Sequence, residues 1–139
     1  MFQLSPALAA ASEPVADLAL CTVRLQRDGR FPWLVLIPRV AGAVELEDLD
    51  LPDRAILTGE LALAGTAVRA IGDALGRPVE KLNIGQLGNI APQMHWHVVG
   101  RRRDDRCWPG PVWSQGVPEP YAARELEAAV AAARAALAR

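Results

Sequence analysis

The pattern of apolar and polar positions along the chain predicts an α+β domain with an antiparallel sheet and two main helices. Residues 18–27 (LALCTVRLQR) alternate imperfectly and contain Cys21, Thr22, Val23 and Leu25, the residue types that suit a half-buried strand. Asp28-Gly29 follows, a dipeptide that favours a tight hairpin turn, so a second strand is expected to return at once. Residues 33–37 (WLVLI) are that strand; the run is almost continuously apolar, which implies burial on both faces, and Pro38 closes it. Residues 42–49 form a linking segment with room for an edge strand.

A helix start is written at Asp50-Leu51-Pro52-Asp53, with Asp50 as cap, a proline in the first turn and Asp53 where a capping-box acid belongs. Leu57, Leu61, Ala64, Val68, Ile71 and Leu75 then recur at spacings of four and three, which gathers them on one helical face, and Gly76 ends the element. This stripe reads as core packed against a sheet. Residues 79–84 (VEKLNI) are a third strand candidate, with Gly85, Gly88 and Asn89 marking a turn-rich loop behind it. Residues 93–99 (QMHWHVV) are a fourth, placing Gln93, His95 and His97 on one face and Met94, Trp96 and Val98 on the other. Pro109 and Pro111 exclude regular structure across residues 108–113. Residues 120–139 form an alanine-rich helix with Leu126, Val130, Ala133 and Leu137 on one side.

A length of 139 residues fits one domain, and a composition 51% hydrophobic and 22% charged excludes disorder over the whole chain. The net charge of -1 gives no general electrostatic reason to bind DNA, RNA or an anionic membrane, so any anion must be met locally. Of the fifteen basic residues only Lys81 is a lysine, a bias that reads as genome composition. Cys21 and Cys107 lack metal-ligand spacing and suggest reduced thiols. The short apolar run at residues 8–11 has no basic region before it and is followed by Glu13, Pro14 and Asp17, and no stretch nears the length of a membrane span. The expectation is a cytoplasmic protein.

Chemistry concentrates on the face that carries Gln93, His95 and His97. His95 and His97 are the only histidines in the chain. Period-two spacing aims both imidazoles to one side, beside a glycine-rich turn and the polar residues Asn83, Gln86 and Asn89. A lone histidine is more often a surface or satisfied core residue; a pair in this setting points further. Two histidines at i and i+2 can chelate a metal ion, yet no third histidine exists, and Arg101, Arg102 and Arg103 follow. Nearby cations oppose a divalent metal and favour an anion, so phosphate chemistry is preferred, with no metal and no cofactor expected. The three arginines otherwise read as a solvated patch or interface edge.

Residues 82–89 (LNIGQLGN) leading through residues 93–99 resemble the signature of the histidine triad (HIT) family, in which three histidines alternate with apolar residues after an asparagine-bearing strand and a glycine-rich loop. The apolar strand ending Ile37-Pro38-Arg39, followed by a long helix, matches the family's order. The resemblance covers residues 18–103 within a single domain of residues 1–139, leaving residues 104–139 as a C-terminal loop and helix. It implies hydrolysis or transfer of a nucleotidyl group from nucleoside phosphoramidates, phosphate esters or dinucleoside polyphosphates through a covalent nucleotidyl-histidine, and a homodimer pairing strands across subunits. His95 then stands at the nucleophile's position and His97 at the phosphate-binding position. Asn83 and the loop amides around Gly88 and Asn89 would donate to the same phosphate, which suits the charge of such a transition state. An imidazole also attacks phosphorus at neutral pH without a strong base.

The chain departs from the family pattern at Gln93, where the first histidine usually stands, and at Trp33, often histidine in relatives. The resemblance implies a variant branch in which these two changes are linked, with Gln93 either catalytic or a passive polar residue orienting a neighbour. Asp28 falls where relatives place a residue that holds ribose hydroxyls, although its own context reads more simply as a turn. Phe31 and Trp33 are candidates for a base pocket or for core, and residues 108–113 for covering the cleft or a subunit boundary. Two other readings stand beside nucleotidyl transfer: a non-catalytic nucleotide-binding module, motivated by Gln93, and a metal-dependent enzyme using His95 and His97.

Overall fold

In a computed structural model, which describes residues 1–138, five strands form one sheet. A short helix, α1 (Pro6–Ala10), precedes β1 (Ser12–Asp17), β2 (Cys21–Gln26) and β3 (Trp33–Pro38). The long helix α2 (Leu51–Ala74) crosses to β4 (Lys81–Gln86) and β5 (Trp96–Arg101), and α3 (Ala123–Leu137) ends the fold. The strand order is β1-β2-β3-β5-β4, and every neighbouring pair is antiparallel. The α+β architecture expected from the pattern is the one observed.

Strand alternation divides the core in two. Val23, Leu25, Leu34, Leu36 and Val98 face α2 and α3, where Leu57, Ala64, Val68, Ile71, Ala129 and Ala133 complete the main cluster. Trp33, Val35, Ile37 and Val99 face the other way, joined by Phe31 and Val112 and covered by Phe2, Leu4, Leu8 and Trp113. The continuous apolar run in β3 follows from this, because each of its residues meets one cluster or the other. The side chain of Asp50 accepts from the Asp53 amide at 2.9 Å and caps α2 as expected, and Gly76 at φ 70° supplies the left-handed residue just past the helix end. By length and composition α2 is apolar enough to cross a membrane, but its apolar stripe packs on the sheet and α3. Glu60, also buried on α2, accepts from the amides of Leu20 and Cys21 at 3.1 and 2.8 Å, which compensates a buried carboxylate with charge-assisted hydrogen bonds. Burial, and then Glu60, push the Cys21 thiol far up, which leaves it an inert core residue.

Several local expectations fail for tertiary reasons. β1 lies where the pattern predicts no element; an edge strand tolerates Pro14, and the ladder shifts register between Pro14 and Ala16. Asp28-Gly29 does not make a two-residue turn: the Gly29 amide donates to Glu119 O, and Asp28 is buried against Arg30, so a longer loop joins β2 to β3. Residues 42–49 contain a 3-10 turn (Leu46–Asp48) and no strand. β4 and β5 begin two and three residues later than the pattern suggested, while α3 begins later than residue 120, and Arg139 lies outside the described residues. Arg101 is fully buried, against the expectation of a solvated patch.

Candidate active site

β5 carries His97 on the face opposite α2, paired in register with Gly85 of β4 and Val35 of β3. His95 lies just before β5, and its ring centroid is 5.0 Å from that of His97. Both are buried at under a tenth of full exposure. The alternation therefore brings the two imidazoles together, although only His97 belongs to the regular strand. Met94 leaves the sheet instead, its amide donating to Ala43 O, and this detour sets the position of His95.

The hydrogen-bond partners give the two rings complementary forms. The Nδ1 of His95 is 2.7 Å from the Gln93 carbonyl oxygen. A carbonyl only accepts, so Nδ1 carries the hydrogen, and in the neutral ring Nε2 is left with the lone pair. Trp33 on β3 donates its indole N–H to Nδ1 of His97 at 3.0 Å. Trp only donates, so Nδ1 of His97 is the acceptor and its Nε2 bears the hydrogen. Burial, and after it the proximity of His95, lower the His97 pKa to about 4, which keeps that ring neutral at physiological pH. A nucleophilic nitrogen and a neutral N–H donor thus stand side by side.

The rings open onto a groove of about 340 Å³ that also takes in Gly88 and Asn89 of the β4–β5 loop, Trp113 and Ser114. Gly88 has φ 71°, a conformation that brings the loop backbone round at this point and that residues with a Cβ rarely adopt. Trp113 lies over Gly85 of β4, where a Cβ would stand 3.4 Å from the indole ring, an ordinary van der Waals contact. Trp113 packs edge-to-face on His97 at 5.6 Å between centroids. Ser114 at φ 62° is the one non-glycine residue with left-handed backbone among the described residues, and it sits on the groove. No acidic or basic side chain lines the groove among the described residues apart from the histidines.

The remaining sequence candidates are placed elsewhere. Asn83 accepts from Arg101 Nη1 at 2.8 Å through its Oδ1 and is not on the groove. Asp28 is held by Arg30 at 2.8 Å and accepts from the Arg30 amide, again away from the histidines. Gln93 supplies its carbonyl to His95, but its side chain turns to residues 3–5. Trp33 engages His97, so Gln93 and Trp33 act on different partners. Phe31 and Trp33 are buried in the second cluster and do not line the groove. Ala7, Leu8 and Ala11 line it without having been legible as site residues, because their place depends on backbone hydrogen bonds that any residue type supplies. A larger cavity of about 540 Å³ opens at Arg30 and Arg106, but these guanidiniums are paired with Asp28 and Glu119 at 2.8 and 2.7 Å.

The HIT domain model matches residues 9–104, spanning the sheet, α2 and both histidines. The chain belongs to the histidine triad family. Three solved HIT proteins are similar over almost the whole length. One from Sinorhizobium meliloti 1021 is 40% identical with a TM-score of 0.88, covering 98% of this chain and 97% of that one. One from Bradyrhizobium japonicum is 35% identical with a TM-score of 0.89, covering 98% of both chains. One from Marinobacter aquaeolei VT8 is 33% identical with a TM-score of 0.89, covering 99% of this chain and 97% of that one. A comparison with curated proteins gives no match. This HIT chain carries two histidines, His95 and His97.

Proposed function

We propose that this HIT protein is a nucleotidyl hydrolase or transferase that acts on nucleoside phosphoramidates, phosphate esters or dinucleoside polyphosphates. The observation that carries the reading is the pair of complementary imidazoles: a free Nε2 on His95 next to an Nε2–H on His97. His95 Nε2 attacks the α-phosphorus while the bond to the leaving nitrogen or oxygen breaks, the electron pair departing with that atom, which takes a proton from solvent. His97 and the amides of Gly88 and Asn89 donate to the phosphate oxygens as charge redistributes. Water, or another acceptor, then adds to phosphorus, the bond to Nε2 breaks, and the acceptor's proton passes to solvent. Dividing one displacement into two lowers each barrier. Asn83 and Asp28 support the frame around the site in this scheme, through Arg101 and Arg30.

The same reading places the protein in the cytoplasm as a homodimer. β4 is an edge of the sheet, and Ile84 on it and Ile90 in the following loop are exposed, which suits pairing with a second copy.

Trapping the adduct tests the mechanism. Wild-type protein incubated with an adenosine phosphoramidate and quenched in alkali is expected to carry a nucleotidyl group on His95 by mass spectrometry. His95→Ala is expected to lose the adduct and about 1000-fold or more in rate. Wild-type rates in that variant would overturn the mechanism, and AMP binding by calorimetry with neither adduct nor turnover would assign a binding module.

A further inference from the structure

Gln93 uses both ends of its side-chain amide on one stretch of extended backbone. Its Oε1 accepts from the Ser5 amide and its Nε2 donates to the Gln3 carbonyl, each at 2.8 Å. In an extended chain the C=O of one residue and the N–H two residues on point to the same side, and a primary amide presents the matching donor and acceptor side by side. Gln93 therefore pairs with the N-terminal segment as a neighbouring strand would. An imidazole cannot do this, because its two nitrogens diverge.

The segment so held bears on the groove. Phe2, Leu4 and Leu8 pack onto the apolar cluster that underlies the histidines, and Ala7, Leu8 and Ala11 line the groove beside His95 and His97. Arg24 fixes the far end of α1, donating to Ala9 O and Ser12 O at 3.2 and 2.8 Å. Residues 1–8 precede the stretch that the family model matches. We infer that Gln93 is a specificity-determining positioning residue: its side chain fastens residues 3–5 so that Ala7, Leu8 and Ala11 form a fixed apolar wall for an uncharged organic group of the substrate. The backbone of Gln93 orients the nucleophile, and its side chain orients this wall. The kinetic part of the inference rests on the nucleotidyl-transfer reading; the fastening itself does not.

Two variants weaken the same contact from opposite sides, Gln93→Ala removing both hydrogen bonds and Ser5→Pro one of them. Gln93→Ala deletes the amide. Ser5→Pro deletes only the Ser5 N–H, at a residue whose φ of −56° and ψ of 131° proline adopts without strain. Hydrogen exchange by NMR is read at Ala9 and Ala11, whose amides donate to Ser5 O and Ala7 O within α1. Gln93→Ala is expected to exchange there about tenfold faster than wild type, Ser5→Pro faster than wild type by a smaller factor, and the double variant no faster than Gln93→Ala alone. With a phosphoramidate substrate KM is expected to rise about tenfold while kcat stays within about twofold. Changing the base and the leaving amine in turn distinguishes which organic group loses its contact, by which series shows the larger rise in KM. Unchanged exchange in Gln93→Ala, or a lower kcat at constant KM, would overturn the inference. If the wild-type protein turns over no nucleotidyl substrate, the proposed function fails, and exchange together with AMP calorimetry still decides the fastening.

Discussion

Trp33 and His97 are joined across β3 and β5 by an indole N–H that donates to imidazole Nδ1 at 3.0 Å, with the ring centroids 5.5 Å apart. The bond selects the tautomer of His97 and therefore the polarity of the atom it turns toward the groove. A histidine at position 33 could occupy either role toward Nδ1, donor or acceptor, according to its own tautomer, whereas tryptophan only donates. Position 33 thus acts on the site through His97, although its own side chain does not line the groove.

Trp33→Phe keeps the apolar ring in the second cluster and removes the donor. A buried Nδ1 without a partner costs about 1–3 kcal/mol, and a fall of that size in folding stability is expected in urea denaturation. Nitrogen chemical shifts of His97 are expected to show the Nδ1–H form gaining population, with kcat/KM about tenfold lower as the donor that the proposed mechanism assigns to phosphate is lost. An unchanged tautomer with unchanged kcat/KM would remove Trp33 from the mechanism.

The elements legible in the chain are those whose partners lie nearby or whose pattern is strong. α2 announced itself through Asp50 and its stripe, β3 through its unbroken apolar run, and the site through two histidines two residues apart. What stayed hidden depends on residues far away in sequence. β1 became visible only with β2 beside it, because Pro14 on an edge costs no ladder bond that the sequence could reveal. Asp28 read as a turn because nothing local signals that Glu119 will come to its loop, ninety-one positions on. Gln93 stood open between a catalytic group and a passive polar residue because its side-chain partners are backbone atoms of Gln3 and Ser5, which carry no sequence signal. Arg101 read as solvated for the same reason that Asn83 read as a phosphate donor: each is explained by the other.

The titration of His97 makes stability depend on pH in a defined window. Its pKa is near the ordinary 6.5 in the unfolded chain and about 4 in the folded one. Between these values the unfolded state binds more protons, so stability is complete above 6.5 and falls as pH drops toward 4. The loss expected on going from about pH 7.5 to pH 5 is about 2 kcal/mol. His97→Asn removes the titrating group, and the stability difference between those two pH values is expected to shrink by that amount. If urea midpoints of the two proteins move in parallel with pH, His97 is not the group that titrates.

Arg101 and Asp105 form a buried ion pair that anchors the chain just beyond β5. Arg101 Nε and Nη2 donate to the two Asp105 oxygens at 2.8 and 3.0 Å, and Nη1 donates to Asn83, while Phe31 and Trp108 lie against the guanidinium. Burial would raise the Asp105 pKa, but Arg101 and the amides of Arg102 and Cys107 outweigh it and hold the carboxyl low. Arg101→Met keeps apolar contact with Phe31 and leaves Asp105 without its cation. Removing one partner of a buried pair costs about 3–5 kcal/mol, and a loss in that range is expected. Arg101→Met combined with Asp105→Asn is expected to recover part of it, since the uncompensated charge is gone. Because Asp105 also accepts from the amides of Cys107 and Trp108, the loop toward Trp113 should loosen as well, read as faster exchange of those two amides. Equal stability of the single and double variants would show that Asp105 is compensated by the backbone alone.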